Sequence, residues 1–178
     1  MKKSIGFWQM WGFIFTAVLG TILHFVFDWT GENVVAALFS AVNESIWEHM
    51  KLLYYPMLIF SFIEYRYWGR EYSNFWCVKL MGQLVGLALI PLLYYSYTGI
   101  LGVETDWFNI TIFFLAAGYC YWLESRLLTK GLPRKCKPKL TLGLILLLGA
   151  AFMVLTFAPP EIPLFRDPVT GSYGFQHR

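Results

Sequence analysis

The side chains most capable of chemistry are concentrated in one nine-residue stretch, Asn43–Lys51. This stretch contains two carboxylates, an imidazole, a primary amide and an ammonium group, and the sequence on either side of it is mostly apolar. Ionisable groups beside a hydrocarbon layer are costly to maintain, so a cluster of them indicates a functional site. The stretch is therefore the candidate site of the chain, and the surrounding apolar segments must position it.

The composition indicates whether this site belongs to a soluble or a membrane protein. Of the 178 residues, 57% are hydrophobic and 14% are charged, and the mean hydropathy is +0.52. Soluble domains carry about 25% charged residues, so an all-α integral membrane protein is predicted. The net charge of +3 is too small to indicate a nucleic-acid partner. Cys77, Cys120 and Cys136 have neither the even number nor the spacing of a disulfide or zinc framework, so they are expected to be reduced.

Long apolar runs predict a polytopic transmembrane helical bundle of about five spans. Each run is close to the ~20 residues that a helix needs to cross a bilayer. The segment Val34–Val42 is too short to cross and is predicted to be interfacial or re-entrant. Residues 1–158 are thus expected to form the bundle, and residues 159–178 an extracytoplasmic tail. The predicted spans are Gly6–Phe27, Ser45–Tyr67, Phe75–Tyr97, Trp107–Leu127 and Leu140–Ala158.

Basic residues are distributed unequally between the two ends of these spans. By the positive-inside rule, the more basic end and the N-terminus are cytoplasmic. The other end carries most of the acidic residues and all three histidines, so the candidate site is predicted to face outward. Lys79, near the start of the third span, is expected to extend towards the headgroups. Eleven of the 14 basic residues lie at the inner end: Lys2, Lys3, Arg66, Arg70, Lys79, Arg126, Lys130, Arg134, Lys135, Lys137 and Lys139.

Helical spacing predicts that polar side chains meet at the outer end of the bundle. His24 and Asp28 are four residues apart and therefore share one face of the first span. Glu44 and Glu48 have the same spacing at the start of the second span, next to His49. Imidazoles and carboxylates bind zinc or another divalent metal and leave a position open for water. The predicted metal ligands are His24, Asp28, Glu44 and His49.

The function favoured by this arrangement is a divalent-metal-dependent, hydrolase-type site in a membrane protein. Metal-bound water with a near-neutral pKa is a hydrolytic nucleophile. The cofactor of such a site would be a divalent metal such as zinc, with no cofactor as the alternative, and the expected partners are membrane lipids and an unknown small molecule or ion. Glu48 and His49 are the predicted catalytic residues. The other predicted site residues are Asn43, Ser45, Lys51 and Asp167.

Two further interpretations of the same residues remain open. One is a proton- or ion-coupled small-molecule transporter in which Glu44 and Glu48 bind protons. The other is purely structural, because Ser45-x-x-Glu48 matches a capping box and Glu48 and Lys51 are spaced for an ion pair. Neither an H-E-x-x-H motif nor a cysteine zinc pattern is present, so the question of enzymatic activity also stays open.

The tail after residue 158 contains turn-forming residues, and Leu164, Phe165, Tyr173 and Phe175 supply apolar anchors. Such a segment is disordered unless the protein holds it. We expect it to fold back over the mouth of the site and to bring Asp167 or His177 near the polar cluster. A free, partner-binding tail is the alternative.

Three stretches, His24–Trp29, Val42–Leu52 and Asp167–Gly174, resemble a family of small bacterial integral membrane proteins of unknown function. The signature VNES-x-WEH-x-K, which lies within the candidate site, carries most of this resemblance. The resemblance covers most of the chain. It implies a multi-pass protein of the bacterial inner or plasma membrane, and it implies no particular reaction or ligand.

Cysteine labelling tests the predicted orientation. In a background whose three native cysteines are replaced by serine, Ser172→Cys and Lys135→Cys introduce one thiol on each predicted side. A membrane-impermeant maleimide should label the first variant in intact cells and the second only after permeabilisation, because the bilayer separates the tail from the basic loop. Labelling of Lys135→Cys alone in intact cells would contradict the orientation.

Overall fold

The computed structural model describes residues 5–176, and within that range it contains six α-helices and no β-strand. Two short 3-10 turns, Gly69–Glu71 and Pro163–Phe165, follow the third and sixth helices. The all-α prediction is therefore confirmed. The helices are α1 (Ile5–Trp29), α2 (Val34–Ala37), α3 (Ile46–Tyr67), α4 (Phe75–Leu101), α5 (Asp106–Thr129) and α6 (Pro138–Phe157).

Three of the helices, α1, α4 and α6, are both long and apolar enough to cross a membrane. Length and composition thus do not support the prediction of five spans, although α3 and α5 are of similar length. The reason lies in their polar side chains. Lys51 and Glu64 on α3 and Glu124 on α5 are at most 1% exposed, so several of the charged residues that lower the hydropathy of these two helices point into the bundle.

The third helix, α3, occupies the centre of the bundle, in contact with α1, α4, α5 and α6. Its side chains dominate the core, where Leu53 and Tyr54 are fully buried. Two tyrosine hydroxyls connect it to α6: Tyr54 donates to the Ile145 carbonyl at 2.5 Å and Tyr55 to the Gly149 carbonyl at 2.9 Å. These bonds satisfy buried phenol groups that would otherwise lack a partner.

Small residues allow α4 and α5 to pack closely. A Cβ at Gly82 would lie 2.4 Å from Oε1 of Glu124, and a Cβ at Gly86 would lie 2.3 Å from Sγ of Cys120. Any side chain at these positions would force the facing residue on α5 to move, so the close packing favours glycine at both. The Gly82-x-x-x-Gly86 spacing therefore serves helix packing inside the chain.

Cys77, at the start of α4, and Cys136, in the loop between α5 and α6, form a disulfide. Cys120 is a free, buried thiol. The prediction that all three cysteines are reduced is therefore wrong for two of them. The number and spacing of the cysteines do not indicate this pair, because its members are 59 residues apart in the sequence. The packing of α4 against α6 brings them together.

The segment after α6 packs back on the bundle. The turn Pro163–Phe165 places Phe165 on Trp47, with ring centroids 4.5 Å apart, and leaves Phe165 5% exposed. Nearer the end of the segment, the backbone N–H of Phe175 donates to the Thr156 carbonyl at 2.7 Å. The tail is thus held at two points by the outer ends of α3 and α6.

Gly82→Ala should destabilise the fold. The added methyl group would collide with the Glu124 carboxylate, which cannot turn away because Lys79 binds it at 2.5 Å. We expect a loss of about 1–3 kcal/mol, the usual cost of overpacking, measured as a lower midpoint of thermal unfolding in detergent. Gly143→Ala is the matched control, since no atom lies within 4 Å of its added Cβ. Equal midpoints for the two variants would disprove this packing constraint.

Candidate functional site

The candidate site is built around the start of α3. Ser45 caps this helix: its hydroxyl accepts from the Glu48 N–H at 3.4 Å. Asn43 Oδ1 accepts from the Ser45 N–H at 3.0 Å, and the Asn43 amide donates to the Gly174 carbonyl at 3.1 Å. These polar side chains fix the short loop before α3 and connect it to the tail, so the position of Glu44 within the loop is defined.

Three candidate ligands converge beside this loop: His24 from α1, Glu44 from the loop and His49 from α3. Oε2 of Glu44 lies 3.4 Å from Nε2 of His49, and Oε1 of Glu44 lies 3.7 Å from Nε2 of His24. The two imidazole rings have centroids 5.4 Å apart. All three ligand atoms lie within 4.8 Å of one another, so the fold brings together two nitrogens and one oxygen.

The orientation of the His49 ring is set by the backbone. Nδ1 lies 3.0 Å from the Ser45 carbonyl oxygen, and because a carbonyl only accepts, Nδ1 carries the proton of this hydrogen bond. In the neutral ring, Nε2 then presents a lone pair towards Glu44. A histidine that binds a metal usually donates its other nitrogen to such a carbonyl, which holds the tautomer and the ring.

An open cavity of about 360 Å³ adjoins two of the three residues. His24 and Glu44 line it, and the tail forms one of its walls. Four carboxylates line the same cavity, so its field attracts cations. The acidic lining residues are Asp28, Glu32, Glu44 and Asp167.

Two predicted site residues on the cavity wall are not part of the three-residue cluster. Asp28 lines the cavity but is absent from the group of ligand atoms that meets around Glu44. The Asp167 carboxylate accepts from the Val169 N–H at 2.9 Å and from the Thr170 hydroxyl at 2.6 Å. It thereby holds a turn of the tail. The expectation that His177 approaches the site falls outside the described residues.

Glu48 and Lys51 form a separate, buried ion pair. Lys51 Nζ lies 2.6 Å from Oε2 of Glu48, and both side chains are at most 1% exposed. Lys51 also donates to the Ala37 carbonyl and to the Thr156 hydroxyl, each at 2.9 Å. The Thr156 hydroxyl in turn donates to Oε1 of Glu48 at 3.0 Å, and the Val42 N–H donates to Oε2 at 3.2 Å. Both carboxylate oxygens of Glu48 are therefore bonded here rather than to the imidazoles.

A second ionisable cluster, Glu64–Lys79–Glu124, joins α3, α4 and α5 near their inner ends. Lys79 Nζ pairs with Oε2 of Glu64 and, at 2.5 Å, with Oε2 of Glu124. The expectation that Lys79 extends to the headgroups is wrong, because two buried carboxylates hold it inside the bundle. A sequence signal was present: each of the three residues lies three or four positions from the inner end of its predicted span.

An all-helical bundle with three helices long and apolar enough to cross a membrane, and with ionisable groups in its interior, is typical of helical membrane proteins. The chain belongs to the family of unknown function DUF6512, which matches residues 1–175. No curated protein matches the chain significantly, and no solved structure does so. The activity must therefore be argued from the site itself.

Gly174→Ala should release the tail from the cavity. Gly174 has a φ of +59°, and an added Cβ would lie 2.5 Å from the Thr156 carbonyl oxygen. The freed tail should expose His24, which lines the same cavity as the tail, so diethyl pyrocarbonate should modify His24 faster, as followed by mass spectrometry of its peptide.

Gly171→Ala is the matched control for this experiment. Its φ of +75° is equally left-handed, so it shares the backbone cost of about 1–2 kcal/mol. Its added Cβ would meet no atom closer than 3.5 Å. Identical modification rates in the two variants would show that the Gly174 contact does not hold the tail over the site.

Proposed function

We propose that this protein is a multi-pass membrane protein that binds a divalent metal ion, preferably zinc, through His24, Glu44 and His49. The observation that carries the proposal is the convergence of two imidazole nitrogens and a carboxylate within 4.8 Å of one another. Two nitrogens and one oxygen are a ligand set of catalytic zinc sites, which keep a fourth position for water or substrate. The placement of His49 Nε2 beside the Glu44 carboxylate, together with the acidic cavity, supports cation binding here.

The reaction class that suits this site is hydrolysis. A metal ion held by three ligands lowers the pKa of a bound water towards neutrality and so supplies a nucleophile. The cavity is large enough to admit a small substrate next to His24 and Glu44. Asp28, on the cavity wall, is the carboxylate available to accept a proton.

Glu48 was predicted to be catalytic, and we assign it a structural role in this proposal. Its carboxylate binds Lys51 and Thr156, so it is not free to act on a substrate. Removing one partner of a buried ion pair costs about 3–5 kcal/mol. Loss of Glu48 would thus act on the stability of the start of α3, whereas loss of His49 would act on metal binding.

The topology that accompanies this proposal has five spans, formed by α1, α3, α4, α5 and α6, in a bacterial inner or plasma membrane. The inward-facing polar residues of α3 and α5 support their inclusion, because the outer surfaces of the bundle remain apolar. The basic asymmetry supports a cytoplasmic N-terminus. The Cys77–Cys136 disulfide supports the opposite orientation, since disulfides persist in oxidising compartments, and cysteine labelling at positions 135 and 172 distinguishes the two.

A proton- or ion-coupled transporter is the second candidate function. It is favoured by the buried Glu64–Lys79–Glu124 cluster, because ionisable groups inside a membrane bundle often belong to proton or ion pathways. A transporter of this kind would need no metal at the outer site. Metal content therefore distinguishes it from the hydrolase.

Purified without chelators, the protein should contain about one zinc ion per chain by elemental analysis. His49→Ala should weaken zinc binding by more than the roughly 10- to 100-fold that loss of an outer-shell partner causes, because it removes a direct ligand. Glu161→Gln, which neutralises an exposed acidic residue of the tail, should retain the metal. The absence of stoichiometric metal from the wild-type protein would exclude the metal-dependent hydrolase.

A further inference from the structure

The Glu64–Lys79–Glu124 cluster lies far from the outer site. Glu64 follows His49 by 15 residues on the same helix, which corresponds to about 22 Å along its axis. A fourth helix contributes Gln9 of α1, whose amide donates to Oε1 of Glu64 at 2.8 Å. We propose that this cluster is a proton-binding site that holds one exchangeable proton between Glu64 and Glu124. The proposal does not rest on the metal site.

The charges in the cluster do not balance. Two carboxylates and one ammonium group carry a net charge of −1 when all three are ionised, and each side chain is at most 1% exposed. Among the described residues, Lys79 is the cation paired with both carboxylates. An uncompensated buried charge costs several kcal/mol, and such groups commonly become neutral instead. One proton on either carboxylate makes the cluster neutral.

The cluster also has unused capacity to bind a proton. Within residues 5–176, Oε1 of Glu124 is buried and makes no hydrogen bond, and both amide atoms of Gln83 lack a partner. Gln83 is fully buried and lies one helical turn after Lys79 on α4. A protonated carboxyl group donates one hydrogen bond and therefore needs one acceptor. The carbonyl oxygen of the Gln83 side chain is an acceptor of this kind.

The other neighbours of Lys79 among the described residues carry no charge. The rings of Phe75 and Tyr121 lie 5.4 and 5.7 Å from its Nζ, and the Tyr121 hydroxyl is paired with Thr16 of α1 at 2.8 Å. The titratable neighbours on α5 are Tyr121 and the buried thiol of Cys120. Neither neutral group supplies a second positive charge, so the proton remains the simplest counter-charge.

The Glu48–Lys51 pair provides an internal comparison. It is equally buried, but it contains one carboxylate and one ammonium group, and both carboxylate oxygens are hydrogen-bonded. It is therefore neutral without a proton. The imbalance at the inner end is thus a property of that cluster and not of buried ion pairs in this fold.

Loss of the proton would leave a negative charge between three helices. Helix movement, water entry or another proton would then have to relieve it, so occupancy of the site is coupled to the packing of α3, α4 and α5. This is the arrangement that a proton-coupled membrane protein requires. It gives the bundle a second ionic centre whose chemistry differs from metal binding.

Infrared spectroscopy of the wild-type protein in lipid at neutral pH tests the proposal. A protonated carboxylic acid gives a carbonyl stretching band that shifts on transfer to D₂O. We expect such a band in the wild type and its loss in Glu124→Gln and in Glu64→Gln, because each leaves one carboxylate opposite Lys79. Lys79→Met should about double the band, since both carboxyl groups then lack a cation.

Glu104→Gln is the control, because it removes an exposed carboxyl group outside the cluster and should keep the band. Thermal unfolding midpoints show whether each variant is folded, and the wild-type band is informative even if one glutamine variant is not. The proposal is overturned if the wild type lacks the band, or if both folded glutamine variants retain it. Stoichiometric sodium or potassium in a wild-type protein without the band would identify a metal cation as the counter-charge instead.

Discussion

The outer end of the bundle depends on the buried ion pair between Glu48 and Lys51. Through this pair, α3 is connected to α2 by a backbone carbonyl, to the preceding loop by a backbone N–H, and to α6 by the Thr156 hydroxyl. These partners replace the water that the two charges lose on burial. Without these hydrogen bonds, the buried pair would destabilise the fold. The backbone of the loop that carries Glu44 is held in consequence.

The interior of this protein is more polar than its surface in several places. Large apolar side chains such as Val18, Ile100 and Leu147 are exposed, whereas carboxylates and lysines lie in the centre. Surrounded by lipid, such a bundle gains little from burying apolar area, so close packing and interhelical hydrogen bonds must hold it together. The tyrosine bonds from α3 to α6 and the glycine contact between α4 and α5 are interactions of this kind.

Much of the helical architecture could be predicted because a bilayer dictates the length of an apolar run. The grouping of site residues could be predicted only in part. Glu44 and Glu48 have helical spacing, but α3 begins at Ile46, so Glu44 belongs to a loop and the two side chains diverge. The spacing of residues within one helix also cannot indicate which neighbouring helix a side chain faces. For that reason Lys79 was assigned to the lipid headgroups, and its two carboxylate partners were not found.

The three candidate ligands differ in how firmly the fold holds them. His24 and His49 project from long helices, whereas Glu44 is part of a short loop and is about half exposed, at 49%. A site with two fixed nitrogens and one adjustable oxygen can accommodate cations of different radius by moving the carboxylate alone. The two imidazole nitrogens would then determine which metal ions bind, and the Glu44 carboxylate would determine how quickly one ion is exchanged for another.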